Sequence, residues 1–526
     1  MSKDYFQSQE FLELLQSYEE QRRKGESVYL DADDFADIAD YYLNIDRPRL
    51  AMKAIEEGLS LHPDDEVLLI VEGAAYIYQR KFVEAEQVLK TLDDQNSDVQ
   101  YQLAQIQYAK YHNTEKAERI WREWMKLESG NNPSEEQQRE CYIHILSSMT
   151  DLLPEQQCDM DAVRRWIREY IDRFQPLGRY DEDVQLADIC RDNEQADLMC
   201  EVLAQVLEEQ PYLPKGWSNL ALAQYMQQHY DQALESCDFA LAVNPQDLDA
   251  LLTKAHSLYS MGEKRACKPC FKEYLDKGGD AVQIIPYAES LFFDGEKEEA
   301  QKQLEKLYSH YEKKRMDMMA GVADGKTTPL SDKKARRKKK ELDEFLSLYG
   351  KVLTDISDLY HQNELFEMSI LINEQLTKVF KHNAEAYFML GVNHLALSQY
   401  EDASRNFANA LQYADDQVMM GLDIALTFVL NGFDKFALEV LNAVCQIADS
   451  SDSPFVKNIP AAKSLAYLKL GYTDQFLKNF KIACQETPQL VESVYEGYFP
   501  ANLPVTQWSD YAEKEVNTLM AKFSTK

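Results

Sequence analysis

Two stretches combine residue types at spacings that could do chemistry. The first is Cys267-Lys268-Pro269-Cys270, with two thiols three residues apart. A closed zinc site needs four ligands, and no second pair lies near in sequence. A redox pair sits at a strand-to-helix turn, whereas these cysteines fall within a helical pattern. The spacing therefore predicts packing residues rather than a metal or redox centre. The nine cysteines, at 141, 158, 190, 200, 237, 267, 270, 445 and 484, are scattered, which fits reduced, buried thiols. The nine histidines include no pair at metal-ligand spacing. A phosphate-binding glycine loop, a His-Glu-x-x-His pair, a nucleophile elbow and a calcium loop are all missing from the sequence. The expectation is a non-enzyme with no cofactor and no metal.

The second stretch runs from Lys333 to Lys340 and carries seven positive charges in eight residues. It could contact nucleic acid, or be a solvated linker that pairs with an acidic body. The chain has 90 acidic and 56 basic residues, a net charge of −34. That field repels polyanions, including nucleic acid and anionic membranes, and favours the linker reading.

The elements that would position any site repeat along the chain. From Ala384 to Tyr413 two helical patterns flank a turn at about Ser398. Gly391 on the first and Ala403 on the second lack bulk, so the two backbones can approach closely. A shift of 34 residues takes Gly391 to Ala425 and Ala403 to Ala437. The same shift links Ala39 to Gly73, Ala51 to Ala85, Ala187 to Ala221 to Ala255, and Pro211 to Pro245; a shift of 33 then reaches Ala288. Self-similarity at this length marks a helical repeat array, whose hairpins bury their apolar faces on neighbours.

With these residues the chain resembles the tetratricopeptide repeats (TPR). The clearest copies hold Phe35, Ile38, Ala39, Tyr42, Ala51, Ile55, Gly58 and Pro63, then Trp217, Leu220, Ala221, Ala233, Cys237, Ala240 and Pro245. The pattern breaks at about 126–179 and 312–348, and Trp124 stands where the family prefers a small residue. The resemblance implies an all-α fold, a right-handed superhelical solenoid of stacked antiparallel helix hairpins. It places an N-terminal array at 1–311, degenerate over 126–179, and a basic linker or hinge at 312–340. A second array covers 341–488 and a capping helix 489–526. Met316–Pro329 reads as a loop.

In such a stack each first helix leaves one face toward a groove. That face carries Leu222, Tyr225 and Met226, then Leu252, His256 and Tyr259, then Ile285, Phe292 and Phe293. In the later repeats it carries Phe388, Val392 and Leu395, then Leu422, Leu426, Val429 and Leu430. Asp33, Asp40, Asp181, Asp188 and Asp192 make the early groove acidic. The expected function is a scaffold that binds protein or peptide segments in this groove, or covers it by self-association. Some members of the family clamp a C-terminal carboxylate, but Ser218, Leu222, Thr253, Val282 and Pro286 occupy the matching positions and cannot do so. The alternatives are a surface nutrient- or glycan-binding protein of TPR-like fold, against which the polar start of the chain argues, and nucleic-acid contact through the basic run. No apolar run is long enough to span a membrane, and the expected location is cytoplasmic.

Overall fold

The 34-residue period reappears as a backbone event. The computed structural model describes residues 5–24, 29–129, 133–154, 157–323, 333–449, 451–500 and 502–524. Its regular structure is helical, with no strand among the described residues. Residues of positive φ close eight of the hairpins at a constant interval: Asp46 and Arg80; Glu194, Gln228 and Gly262; Glu364, Ser398 and Gly432. Within each of these three series the spacing is 34. At the turn expected near Ser398, Ser398 N–H donates to Leu395 O (2.9 Å) and Gln399 N–H to His394 O (2.8 Å). This pair of bonds satisfies the carbonyls that the helix end leaves open, and it requires a left-handed residue at the turn. The start of the next hairpin is fixed by side chains. Asp65, Asn383 and Asp416 each accept a hydrogen bond from the third backbone N–H after them.

Small residues then set the spacing within hairpins. Ala39, Ala221, Ala255, Ala288 and Ala425 on first helices are fully buried, as are Ala51, Ala85, Ala233 and Ala437 on second helices. A Cβ on Gly391 would lie 2.5 Å from the Phe407 ring, so that ring fills the space which the missing side chain leaves. Hydrogen bonds tie equivalent places in neighbouring repeats: Tyr78 to Asp46, Gln102 to the Ile70 carbonyl, Gln210 to the Gly178 carbonyl and His361 to Asn393, each 32 residues apart.

Contacts divide the chain into two units, Met1–Lys277 and Gly278–Lys526. In the first, hairpins run from Ala32–Asn44 with Pro48–Leu61 to Leu248–Ser260 with Lys264–Asp276. The second runs from Ile284–Phe293 with Lys297–Ala323 to Ile459–Lys469 with Thr473–Glu486, and ends on Trp508–Ser524. The boundary falls one repeat length before residue 311. Residues 316–323, expected in a loop, are instead the last turns of Lys297–Ala323. Met and Ala dominate there and no proline intervenes, so the helix propagates past Gly321. Residues 324–329 lie outside the described residues. The basic run opens the helix Lys333–Gln362, with residues 337–340 exposed.

The stretch without clear repeat spacing forms two helices, Glu135–Asp151 and Met160–Arg173. One buried cluster continues through it from Ala104 to Ala223. Arg139 and Asp183 make an ion pair inside it, both almost fully buried. Asp183 also accepts from the Tyr170 hydroxyl (2.7 Å) and Gly178 N–H (2.8 Å), and Arg139 donates to the Phe174 carbonyl (2.9 Å). Polar bonds thus replace the small-residue register here. At Trp124 the bulk is accommodated against Tyr101, ring centroids 4.7 Å apart.

Candidate functional site

Leu222 and Tyr225 on Gly216–Met226 are half-buried, as are Leu252, His256 and Tyr259 on Leu248–Ser260. Tyr225 lies 6.3 Å from His256, centroid to centroid. His256 meets the fully buried Phe271 edge-on at 5.3 Å, and Tyr259 meets it at 6.3 Å. The structure therefore brings Tyr225, His256 and Tyr259 together as an aromatic strip.

In the second unit Ile285, Phe388, Val392 and Leu426 are half-buried, whereas Phe292, Leu395, Leu422 and Val429 are buried. Leu395 shares a small core with Ala403, Phe407 and Ile424, and Phe388 and Val392 pack on it. Leu422 and Val429 belong to the core of the last repeats. Leu395 follows Gly391 by four residues, and Val429 follows Ala425 by four. That spacing keeps each on the stripe that faces its own second helix. One place stays open: the residue five beyond the small position. There Met226 is 44% exposed, Phe293 56% and Leu430 78%.

The helices Lys333–Gln362, Ala384–Ala396 and Gln417–Leu430, together with Phe366–Val379, surround a pocket of about 650 Å³. Leu376, Phe388, Met389 and Met420 supply apolar lining. Asp358, Glu385, Asp415, Asp416 and Asp423 also line it, and no lysine or arginine does. Burial raises the Asp358 and Asp423 carboxyls above the usual carboxylate range; Asp355 adds to the effect at Asp358, and His361 works against it. Asp416 is held below that range, chiefly by the Ser453 hydroxyl, which donates to it at 2.6 Å. Asn373, 2% exposed, reaches the same pocket.

Cys267 and Cys270 both lie in the second helix Lys264–Asp276, Cys267 fully buried, and burial raises the Cys270 thiol. Among the described residues no group of three or more His, Cys, Asp or Glu is arranged to hold a metal ion. No described helix is long and apolar enough to cross a membrane.

Residues 214–247, the hairpin of Trp217, Ala221, Ala233 and Pro245, match the family model described as the tetratricopeptide repeat. The chain therefore contains a tetratricopeptide repeat. Its hairpins stack as an all-α, TPR-like solenoid. Solved structures similar to it include YrrB, described as a TPR protein with an unusual peptide-binding site. That match has 14% identity, covers 42% of this chain and 96% of that one, and has a TM-score of 0.31. MamA matches at 19% identity over 30% of this chain and 91% of its own, with a TM-score of 0.27. The Cut9–Hcn1 hetero-tetramer of the APC/C matches at 11% identity over 89% and 90%, also with a TM-score of 0.27. No curated protein matches the chain.

Sequence reasoning missed the carboxylates of the second TPR unit, where it read the first-helix faces as almost wholly apolar. The TPR register itself carried the signal. Shifting Met389 by 34 in either direction gives Asp355 and Asp423, and shifting Val392 back by 34 gives Asp358. Asn373 had no comparable signal, because its exposure to the pocket follows from hydrogen bonds with partners 4 and 16 residues away.

Proposed function

We propose that this TPR protein is a non-enzymatic scaffold that holds segments of partner proteins along the faces of its first helices. The observation that carries the reading is the recurrent exposure of Met226, Phe293 and Leu430 at one place in the repeat. An isolated exposed side chain is ordinary, but recurrence in register gives each unit its own anchor for an extended or helical segment, Met226 in the first and Phe293 and Leu430 in the second. Covering such a side chain is worth roughly 1.5–3 kcal/mol, so a few of them suffice for a specific contact. The half-buried strip of Tyr225, His256 and Tyr259 offers aromatic contact area beside Met226.

The test is a Met226→Asp, Leu430→Asp double variant. Both side chains are exposed, so the variant is expected to melt as the wild type does. Partners captured by the wild type and identified by mass spectrometry are expected to be lost from it. An unchanged partner set with both anchors removed would refute the scaffold surface as drawn.

A further inference from the structure

The chemistry of the pocket in the second unit narrows the partner, an inference that rests on the groove reading above. The pocket presents acceptors and, apart from the His382 imidazole, no basic side chain. Asp358 and Asp423 have no ion pair among the described residues, and burial already disfavours their charged forms. Asn373 points the same way by independent geometry. Its amide nitrogen donates to the Ser369 carbonyl (2.9 Å) and to the Ser357 hydroxyl (2.5 Å). A backbone carbonyl only accepts, so the orientation of this amide is fixed. Its Oδ1 receives no hydrogen bond from a described residue, although the side chain is only 2% exposed, and it is not sealed from open space. A buried amide holding one free acceptor toward a pocket with carboxylates is built for a donor.

We propose that this pocket receives a lysine or arginine side chain from a basic, apolar-flanked segment of a partner protein. Asp358 meets the cationic head, Asn373 Oδ1, on an amide bonded to the adjacent Ser357, accepts one of its N–H groups, Phe388 and Met389 pack along the aliphatic stem, and Asp423, two repeats along, adds negative charge at longer range. A long basic side chain needs both surfaces, because its methylenes and its charge are solvated differently. The net charge of −34 draws such a segment in at long range. The chain's own basic run does not fill the pocket from within one molecule. Lys340 and Asp358 belong to one continuous helix, Lys333–Gln362, and 18 residues of helix hold them about 27 Å apart.

The experiment uses the full chain and an array of fluorescent twelve-residue peptides. Their flanks vary in sequence, and the central residue is Arg, Lys, Gln or Glu. The expected binders carry central Arg or Lys beside apolar residues. Their affinity should fall at least ten-fold in an Asp358→Asn, Asp423→Asn variant. That variant should melt at the wild-type temperature or above, since it removes two unfavourably buried charges, so lost binding would not report misfolding. Binders with central Gln or Glu, insensitive to the double variant but lost on Leu430→Asp, would overturn this inference and leave the groove reading standing. An array with no binders at all would overturn both. Free arginine or spermine binding as tightly as the peptides would make this a small-cation pocket and overturn the proposal. Self-association abolished by Lys339→Glu and Lys340→Glu would assign the pocket to a second copy, with the same consequence.

Discussion

Two aspartates show opposite uses of burial. Asp183 is fully buried but fully employed, with the Arg139 guanidinium, the Tyr170 hydroxyl and the Gly178 N–H around it. Removing its charge leaves the buried Arg139 guanidinium with Glu135, itself largely exposed, as its remaining counter-ion at 2.7 Å, and breaking a buried pair costs about 3–5 kcal/mol. Asp183→Asn is therefore expected to lower the urea midpoint of the first unit by that equivalent. A loss below 1 kcal/mol would mean that Glu135 alone suffices to balance the Arg139 guanidinium. Asp40 is the converse case. Burial, with repulsion from Asp37 and Asp98, pushes its carboxyl up to about 6. A raised acid binds its proton more tightly folded than unfolded, so its effect on stability improves as pH falls from about 6 toward 4 and worsens as pH rises through 6. Asp40→Asn should accordingly stabilise the protein at pH 7, by about 1 kcal/mol after allowance for its partial exposure. It should also flatten the melting temperature between pH 4 and 6. A variant less stable at pH 7 would show that the carboxylate makes a favourable contact.

At the scale of the hairpin, the sequence disclosed packing better than turns. Gly391, Ala403 and their 34-residue echoes were readable because a small side chain at an approach point leaves a compositional mark. Apart from the turn placed at about Ser398, the turn residues were not, because most of them are not glycine: Asp46, Arg80, Gln228 and Glu364 all take positive φ. Groove assignments were readable in register but not in depth. Leu395 and Val429 lie within the first-helix pattern, yet the stripe of Gly391 and Ala425 draws them into their own hairpins. The turns yield a paired prediction. Gly432 at φ 78° has open space around a would-be Cβ, so Gly432→Ala tests the backbone alone. It should cost about 1 kcal/mol, because alanine resists that region. Gln228, at φ 62° in the equivalent turn, should gain a few tenths to about 1 kcal/mol as Gln228→Gly. Chemical denaturation of both variants checks the pair, and equal signs would show that left-handed strain is not what governs these turns.

For the whole molecule, the dominant long-range term is self-repulsion among 90 acidic and 56 basic residues. Exposed ion pairs such as Arg122 with Glu169 and Arg164 with Asp197 oppose it. Each such pair is worth about 0–1 kcal/mol, and the arginine and lysine residues that make them leave 34 negative charges unmatched. Screening acts on both terms, but unevenly. Paired charges sit about 3 Å apart, well inside any screening length, whereas the unmatched charges act across many ångströms. Raising salt from about 10 to 150 mM shortens that length from about 30 to 8 Å, and so removes repulsion before attraction. The melting temperature at pH 7 is expected to rise by roughly 2–5 °C over this range. The rise should shrink at pH 5, where carboxyls raised by burial, Asp40 among them, have begun to protonate. Guanidinium-free thermal scans in sodium chloride at both pH values separate this from specific ion binding, which would not vanish with protonation of the buried groups. A melting temperature that falls with salt at pH 7 would mean that local ion pairs, the Arg164–Asp197 kind, govern stability despite the charge imbalance.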